Sequence, residues 1–270
     1  MTISYSVIIP AYNEQEWLPA TLDALLKAMK AIDMAGEVIV ADNKSRDRTA
    51  AIAREHGAVV VFEPINQISR ARNSGAKAAK GRYLIFLDAD TILSTALLQK
   101  ALNNLSGGAC CGGGCKVVYE GELPGIARVA TEFWNRLSVG FGMAAGCFVY
   151  CLKEAFDAVG GFSRKLYASE EIWLSWNLRA WGKQRHMDFR IISDPPLITS
   201  SRKLKWFSPL GMFGMLMVFS FFPFAVRYRP LCRLWYERPT DEKGKITHLD
   251  NPDGDNPDAA LSSAENIRKP

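Results

Sequence analysis

The chain has 270 residues, 48% of them hydrophobic and 23% charged, with a formal net charge of +5. That length and balance predict one large globular domain, or a domain with an appendage, and exclude a chain too polar to build a core. The positive excess is too mild to indicate nucleic-acid binding, and no nucleic-acid partner is expected.

Met1 to Ser6 is short, polar and uncharged and runs directly into the strand-like Val7-Ile8-Ile9. It lacks the pattern of a secretory signal, so a cytosolic chain with reduced thiols is expected. Ser6 to Pro10 reads as a buried strand. Asn13 is placed to cap a helix running to about Lys30, with Leu18, Leu22, Leu25 and Met29 on one stripe. Glu37–Ala41 is read as a second strand, Asp47–His56 as a helix, Val59–Phe62 as a strand and Ser69–Ala79 as a small-residue helix. Tyr83–Leu87 is a fourth strand, and Ser94 caps a helix carrying Leu97, Leu98, Ala101 and Leu102. This alternation predicts an α/β fold, a mostly parallel sheet with helices on both faces.

The region 107–200 is less regular. Cys115–Tyr119 and Cys147–Cys151 read as strands, 124–138 and Glu170–Trp181 as helices, and Asp188–Ile192 as a late strand. Cys110, Cys111 and Cys115 lack zinc-site spacing and a neighbouring histidine, so they read as small buried residues. Trp206–Val226 contains no charged residue, and Arg202, Lys203 and Lys205 precede it while Arg227, Arg229 and Arg233 follow. As one helix it would be about 31 Å long at about 1.5 Å per residue, enough to span a bilayer. Basic flanks on both sides, together with Pro209 and Pro223, instead suit a segment lying in or dipping into the cytosolic leaflet. Beyond Glu237 the chain is polar, without periodicity, and reads as disordered. The expected boundaries are therefore 1–200, 201–237 and 238–270.

Ligands of open α/β sheets bind beyond the carboxyl ends of strands. The first strand ends in Pro10-Ala11-Tyr12-Asn13-Glu14, the second in Asp42-Asn43-Lys44-Ser45 and the fourth in Asp88-Ala89-Asp90. Two carboxylates at i and i+2 after a buried strand form a hard-oxygen site suited to magnesium or manganese with phosphate oxygens and water. Turn and helix-cap hydrogen bonds are the structural alternative for that pair. Phe86-Leu87-Asp88-Ala89-Asp90-Thr91 also matches the motif of haloacid dehalogenase-like phosphatases. In that family the motif stands near the first strand, whereas here it follows three others.

The opening Ser-Val-Ile-Ile-Pro-Ala-Tyr-Asn-Glu and the run Gln67 to Asp90 together closely resemble the inverting family 2 glycosyltransferases of the GT-A fold. The resemblance covers about Ser4 to Ser200 and implies a Rossmann-like sheet. It implies a nucleotide-diphosphate sugar donor, a hydroxyl acceptor and a divalent metal. On the matching positions, Pro10, Ala11, Tyr12 and Glu14 would surround the base and ribose, and Asp42 would accept a hydrogen bond from the base. Asn43 stands where the family often has a second acid. Arg70, Arg72 and Asn73 would lie near the diphosphate, a role suited to arginine. Asp88 would touch the ribose and the metal, and Asp90 would hold the metal.

Ala144-Ala145-Gly146-Cys147 resembles the acceptor-side loop, with Gly146 its glycine. Gly160-Gly161-Phe162 followed by Ala168-Ser169-Glu170-Glu171 resembles the segment that ends in the catalytic base. The family usually has Glu-Asp there, the second acid being the base, so Glu171 is preferred and Glu170 stays open. Acids that merely favour a helix N-terminus are the structural alternative. Trp173, Trp176 and Trp181 are read as core packing rather than as acceptor stacking. The region matching a histidine metal ligand in some members, Thr199 to Arg202, has no histidine, leaving Arg202 or Lys203 to face the diphosphate. The Gln-x-x-Arg-Trp element of processive synthases is absent, so single transfers are expected, to an acceptor that is lipid-linked if the apolar segment meets the membrane. A non-catalytic nucleotide-sugar binder or membrane scaffold of the same fold is the alternative function. A nucleotidyltransferase would carry a Gly-rich, Arg-containing loop after the first strand, which Pro10 to Asn13 is not.

Overall fold

Period-two alternation in the first strands sends successive side chains into two separate cores. A computed structural model of the chain describes residues 2–119, 125–200, 226–232, 236, 238–239 and 246–247. Strands β1 (Tyr5–Ala11), β2 (Gly36–Asp42) and β4 (Tyr83–Leu87) are buried almost throughout. Val7, Ile9, Val40, Ile85 and Leu87 face one side, packing with Leu18, Leu22, Leu25, Leu97, Leu98 and Leu102. Ile8, Ile39, Leu84 and Phe86 face the other, packing with Phe156, Phe162, Leu174 and Leu178. Each such fully buried side chain contributes about 1.5–3 kcal/mol relative to exposure.

The remaining elements are α1 (Leu18–Lys30), α2 (Thr49–Glu55), β3 (Val59–Phe62), α3 (Ile68–Ala78), β5 (Thr91–Ile92), α4 (Thr95–Ser106) and β6 (Cys110–Tyr119). They continue with α5 (Gly125–Phe141), β7 (Phe148–Leu152), α6 (Lys153–Ala158), α7 (Glu170–Lys183) and β8 (Asp188–Thr199). Among the described residues, eight strands form one sheet in the order β3-β2-β1-β4-β7-β6-β8-β5. The half from β3 to β4 is parallel, as expected from the alternation. The other half is mixed. Strand β7 runs antiparallel to both β4 and β6, β6 and β8 are parallel, and β5 is antiparallel to β8.

The parallel register pairs Ala11 with Asp42, so the first two strands end side by side, and β1 and β4 run in the same direction beside them. The loops after β1, β2 and β4 therefore open on one edge. On the far face, α3 lies close against β1 because Gly75 has no side chain where a β-carbon would overlap Ile8. Ser94 caps α4 as expected, its hydroxyl accepting from Leu97 N.

The helix expected from Asn13 starts at Leu18 instead, and Asn13 does not cap it. Asn13 takes a left-handed conformation, φ 51°, and serves the loop below. Neither β5 nor α6 is evident in the sequence pattern, and β8 runs on to Thr199 where a strand ending at Ile192 is expected. The expected packing of three tryptophans holds for Trp181 alone. Trp173 and Trp176 are 44% and 48% exposed and meet edge to face at 5.6 Å. Cys110, Cys111, Cys115 and Cys151 are buried, and none of them is in a disulfide.

The chain divides into two units, Met1–Cys232 and Arg233–Pro270. In the second, Arg238–Pro239 and Ile246–Thr247 pair antiparallel. The apolar segment Trp206–Val226, apart from its last residue, lies outside the described residues, as do Arg202, Lys203 and nearly all of the polar tail. No helix among the described residues is long and apolar enough to cross a membrane.

Candidate active site

Two loops at the sheet edge are joined by hydrogen bonds that run both ways. Asn13 N donates to Ser45 Oγ at 3.0 Å, and Arg46 N donates to Asn13 Oδ1 at 2.9 Å. Glu14 N donates to Thr49 Oγ1 at 2.8 Å. The joint holds Pro10, Ala11, Tyr12 and Glu14 beside Asp42, with Pro10, Ala11, Glu14 and Asp42 buried and Tyr12 partly open. Asp42 Oδ1 accepts from Ser45 N at 3.0 Å across a turn in which Lys44 is left-handed, φ 68°.

Asn43 uses its amide in a way an acid cannot. Its Nδ2 donates to the carbonyls of Glu63, at 3.2 Å, and Ile65, at 2.5 Å, tying the end of β2 to the chain after β3. This gives a structural reason for the amide at this position: a carboxylate would only accept.

The Asp88-Ala89-Asp90 turn is anchored from beneath by Thr21 of α1. Thr21 Oγ1 donates to Ala89 O at 2.8 Å and accepts from Thr91 N at 3.1 Å. Asp90 O accepts from Ser200 N at 3.2 Å, which brings the end of β8 alongside. Asp90 is buried to 8% exposure and Asp88 is partly open. Burial pushes the Tyr119 phenol up to about 12, with Cys147 and Asp90 adding to the shift.

Asp88 and Asp90 share a turn of hard oxygen donors. Asp88 Oδ1 accepts from Arg72 Nη2 at 3.0 Å, which leaves carboxylate lone pairs for a cation. Among the described residues no group of three or more His, Cys, Asp or Glu would hold a metal unaided. The donor set fits a magnesium or manganese ion completed by water and phosphate oxygens, and not a closed protein cage.

Opposite this turn stand the acids that open α7. Ser169 is left-handed, φ 59°, immediately before Glu170 and Glu171. Glu170 is 2% exposed, and its Oε1 accepts from Arg72 Nη1 at 2.8 Å. Glu171 is partly exposed as a whole residue, but its carboxyl end is enclosed and lies against Gly146, where an added β-carbon would stand 3.3 Å from its Cδ. Burial raises the Glu171 carboxyl to about 8, the Glu170 charge pushes the same way, and Arg72 opposes both.

The three residues of α3 are placed differently from one another. Arg70 Nε donates to Gln67 Oε1 at 3.0 Å and its side chain is partly open. Arg72 is fully buried, with Nη2 donating to Gly146 O at 2.6 Å as well as to Asp88. Asn73 clasps the Phe162 backbone, donating from Nδ2 to its carbonyl at 2.8 Å and accepting from its N–H at 2.9 Å. Thus Arg72, Asp88, Gly146, Glu170 and Glu171 are brought into one cluster.

Two contributors escape sequence reasoning. Gln67, buried, donates from Nε2 to the carbonyls of Arg164 and Leu166, both at 2.9 Å, and so supports the loop before α7 while orienting Arg70. Thr21 supports the acidic turn. Their partners are backbone atoms far along the chain, which no local motif marks.

A family model for glycosyl transferase family 2 matches residues 6–157. An uncharacterized glycosyltransferase of Mycobacterium bovis is 35% identical over 127 residues, 47% of this chain and 55% of that protein. A dolichyl-phosphate beta-glucosyltransferase of Drosophila melanogaster is 38% identical over 102 residues, 33% of this chain and 31% of that protein. The matched stretch thus spans about half or less of these relatives' length. The fold is that of a mannosyltransferase from Pyrobaculum calidifontis solved with GDP-Man and Mn2+, at a TM-score of 0.60 and 19% identity, covering 97% of this chain and 79% of that one.

Proposed function

Because the chain belongs to glycosyl transferase family 2, we propose that it moves a sugar from a nucleoside-diphosphate donor to a hydroxyl acceptor, inverting the anomeric carbon. The observation that carries this reading is the convergence of Asp42, Asp88 and Asp90 at one sheet edge, with Glu170 and Glu171 gathered beside Asp88 around Arg72.

Pro10, Ala11, Tyr12, Glu14 and Asp42 form the base and ribose side of the donor site. Arg70 and Asn73 border the diphosphate side. Asp88 and Asp90 would hold a magnesium or manganese ion, which when bound screens the diphosphate and stabilises it as a leaving group. The Mn2+ and GDP-Man of the Pyrobaculum mannosyltransferase support this donor class.

Glu171 is the base. Its carboxylate takes the proton of the acceptor hydroxyl as that oxygen bonds to the anomeric carbon. The bond from that carbon to the diphosphate oxygen breaks, and the nucleoside diphosphate leaves. A carboxyl raised to about 8 is a stronger proton acceptor than an ordinary glutamate once ionised.

The acceptor is a lipid-linked hydroxyl met at the inner face of the membrane. The basic-flanked apolar stretch Trp206–Val226 supports this, as does the dolichyl-phosphate relative. Boundaries of 1–200 for the transferase domain, 201–237 for the membrane-associating segment and 238–270 for the tail go with that reading.

Thermal shift across a panel of nucleotide sugars, with and without manganese, tests the donor. One sugar nucleotide should stabilise the protein only with the metal, and the same donor should then glycosylate an acceptor in a lipid extract. Stabilisation by no member of the panel would sink the reading. Co-flotation of the full chain with anionic but not zwitterionic vesicles tests the membrane contact.

A further inference from the structure

Arg72 joins three parts of the site that the chain supplies from separate places. From α3 it donates to Glu170 at the start of α7, to Asp88 at the end of β4 and to the Gly146 carbonyl before β7, at 2.8, 3.0 and 2.6 Å. Its guanidinium lies 5.1 Å from the centre of the Phe162 ring, which seals it from below. Phe162 is in turn held by Asn73, the next residue of α3. The Arg72 and Glu170 side chains are 2% and 3% exposed. Nη2 gives both of its hydrogens and Nη1 one of its two to these partners, while the enclosed Nε has no hydrogen-bond partner among the described residues, so a diphosphate could take over Nη2 only by breaking bonds already made in a dry environment.

We infer that Arg72 is a positioning residue and not a phosphate ligand: by binding Asp88, the Gly146 carbonyl and Glu170 at once, it sets the distance between the donor side of the site and the base Glu171. The inference rests on the transferase reading above.

The geometry explains why two adjacent glutamates have different work. Glu170 is locked as the partner of a buried cation and turned away from solvent. Glu171, next along the helix, lies beside Gly146 instead. A lysine in place of Arg72 would keep the charge but lose the planar fork, and a single ammonium cannot reproduce three fixed directions.

The test compares the wild-type full chain with Arg72→Lys, Arg72→Met, Glu170→Gln and Arg72→Met/Glu170→Gln. Two quantities are read: dissociation constants for UDP and GDP in the presence of manganese, and kcat and KM for transfer, each per folded molecule by circular dichroism. Arg72→Lys should keep the preferred nucleotide's dissociation constant within about twofold while kcat falls about 100-fold, the loss expected for a base displaced by about 1 Å. Glu170→Gln should lower kcat less than Arg72→Lys does. The double variant, which leaves no unpaired Glu170 charge, provides a folded protein lacking the fork, and its kcat should be as low as that of Arg72→Lys.

A rise of tenfold or more in the nucleotide dissociation constant with Arg72→Lys, with manganese binding unchanged, would make the guanidinium a phosphate ligand and overturn the inference. So would full kcat in Arg72→Lys, or a dead Glu170→Gln beside an active Glu171→Gln. If the wild type binds neither nucleotide and transfers no sugar, the transferase reading fails and takes this inference with it.

Discussion

Gly146 and Glu171 approach so closely that a β-carbon on the glycine would lie 3.3 Å from Cδ and 3.4 Å from Oε1 of the glutamate. That contact is tight enough to push a flexible carboxyl aside by a few tenths of an ångström without disturbing the backbone. Gly146→Ala should therefore lower kcat by about 10-fold or more, since base catalysis depends steeply on position. Unfolding free energy should change by less than about 1 kcal/mol. Steady-state kinetics and urea unfolding on one preparation separate the two effects.

Ionisation of Glu171 should set the pH profile. With its carboxyl raised from 4.5 to about 8, kcat/KM should climb through a limb near that value and level off above it. Glu171→Gln should remove transfer and leave nucleotide binding. Stability moves the opposite way to activity. The folded state keeps a proton that the unfolded chain releases above pH 4.5, so this group's favourable effect is complete below that pH and is lost as pH rises toward 8. Glu171→Gln should thus be more stable than wild type at pH 8.5 and indistinguishable from it near pH 4, by denaturant unfolding at both.

Asp90 and Thr21 support the same turn in different ways. Asp90→Ala should abolish metal-stimulated transfer while the circular dichroism spectrum stays that of the wild type. Activity that persists in the presence of a chelator would remove the metal from the scheme. Thr21→Val strips the buried hydroxyl that bonds Ala89 O and Thr91 N. It should cost about 1–3 kcal/mol of stability and weaken manganese binding in calorimetry, although Thr21 provides no metal ligand.

Asn43→Asp should destabilise the protein by about 1–3 kcal/mol, because the new oxygen faces the carbonyls of Glu63 and Ile65 and cannot donate to them. Thermal unfolding of this variant, set against Asn43→Ala, distinguishes loss of the bonds from added repulsion. The aspartate should be the worse of the two.

Much of the parallel half of the sheet was legible from the chain, because its signals are local. Apolar runs of four to seven residues, punctuated by helix-period stretches, place β1 to β4 within a residue or two of where they stand. The acidic turns after β2 and β4 fall on one edge because strands that run parallel in one sheet end on the same side. Less legible were β5, α6 and the extension of β8. The first two are very short, and β8 continues through Asp194-Pro195-Pro196, residues that read as a break. Asn13 misled for a related reason: it belongs to a residue class that caps helices, yet the same short side chain also suits a left-handed turn.

What the sequence determined by itself was the family, the alternating order of strands and helices and the list of acids and arginines near the strand ends, since each is written in contiguous residues. Only the tertiary structure decided how those groups are shared. Arg72 and Glu170 are 98 positions apart, and nothing in either neighbourhood announces the other. Their pairing follows from α3 and α7 packing on the same face of the sheet, where a buried guanidinium must find acceptors and a buried carboxylate must find a cation.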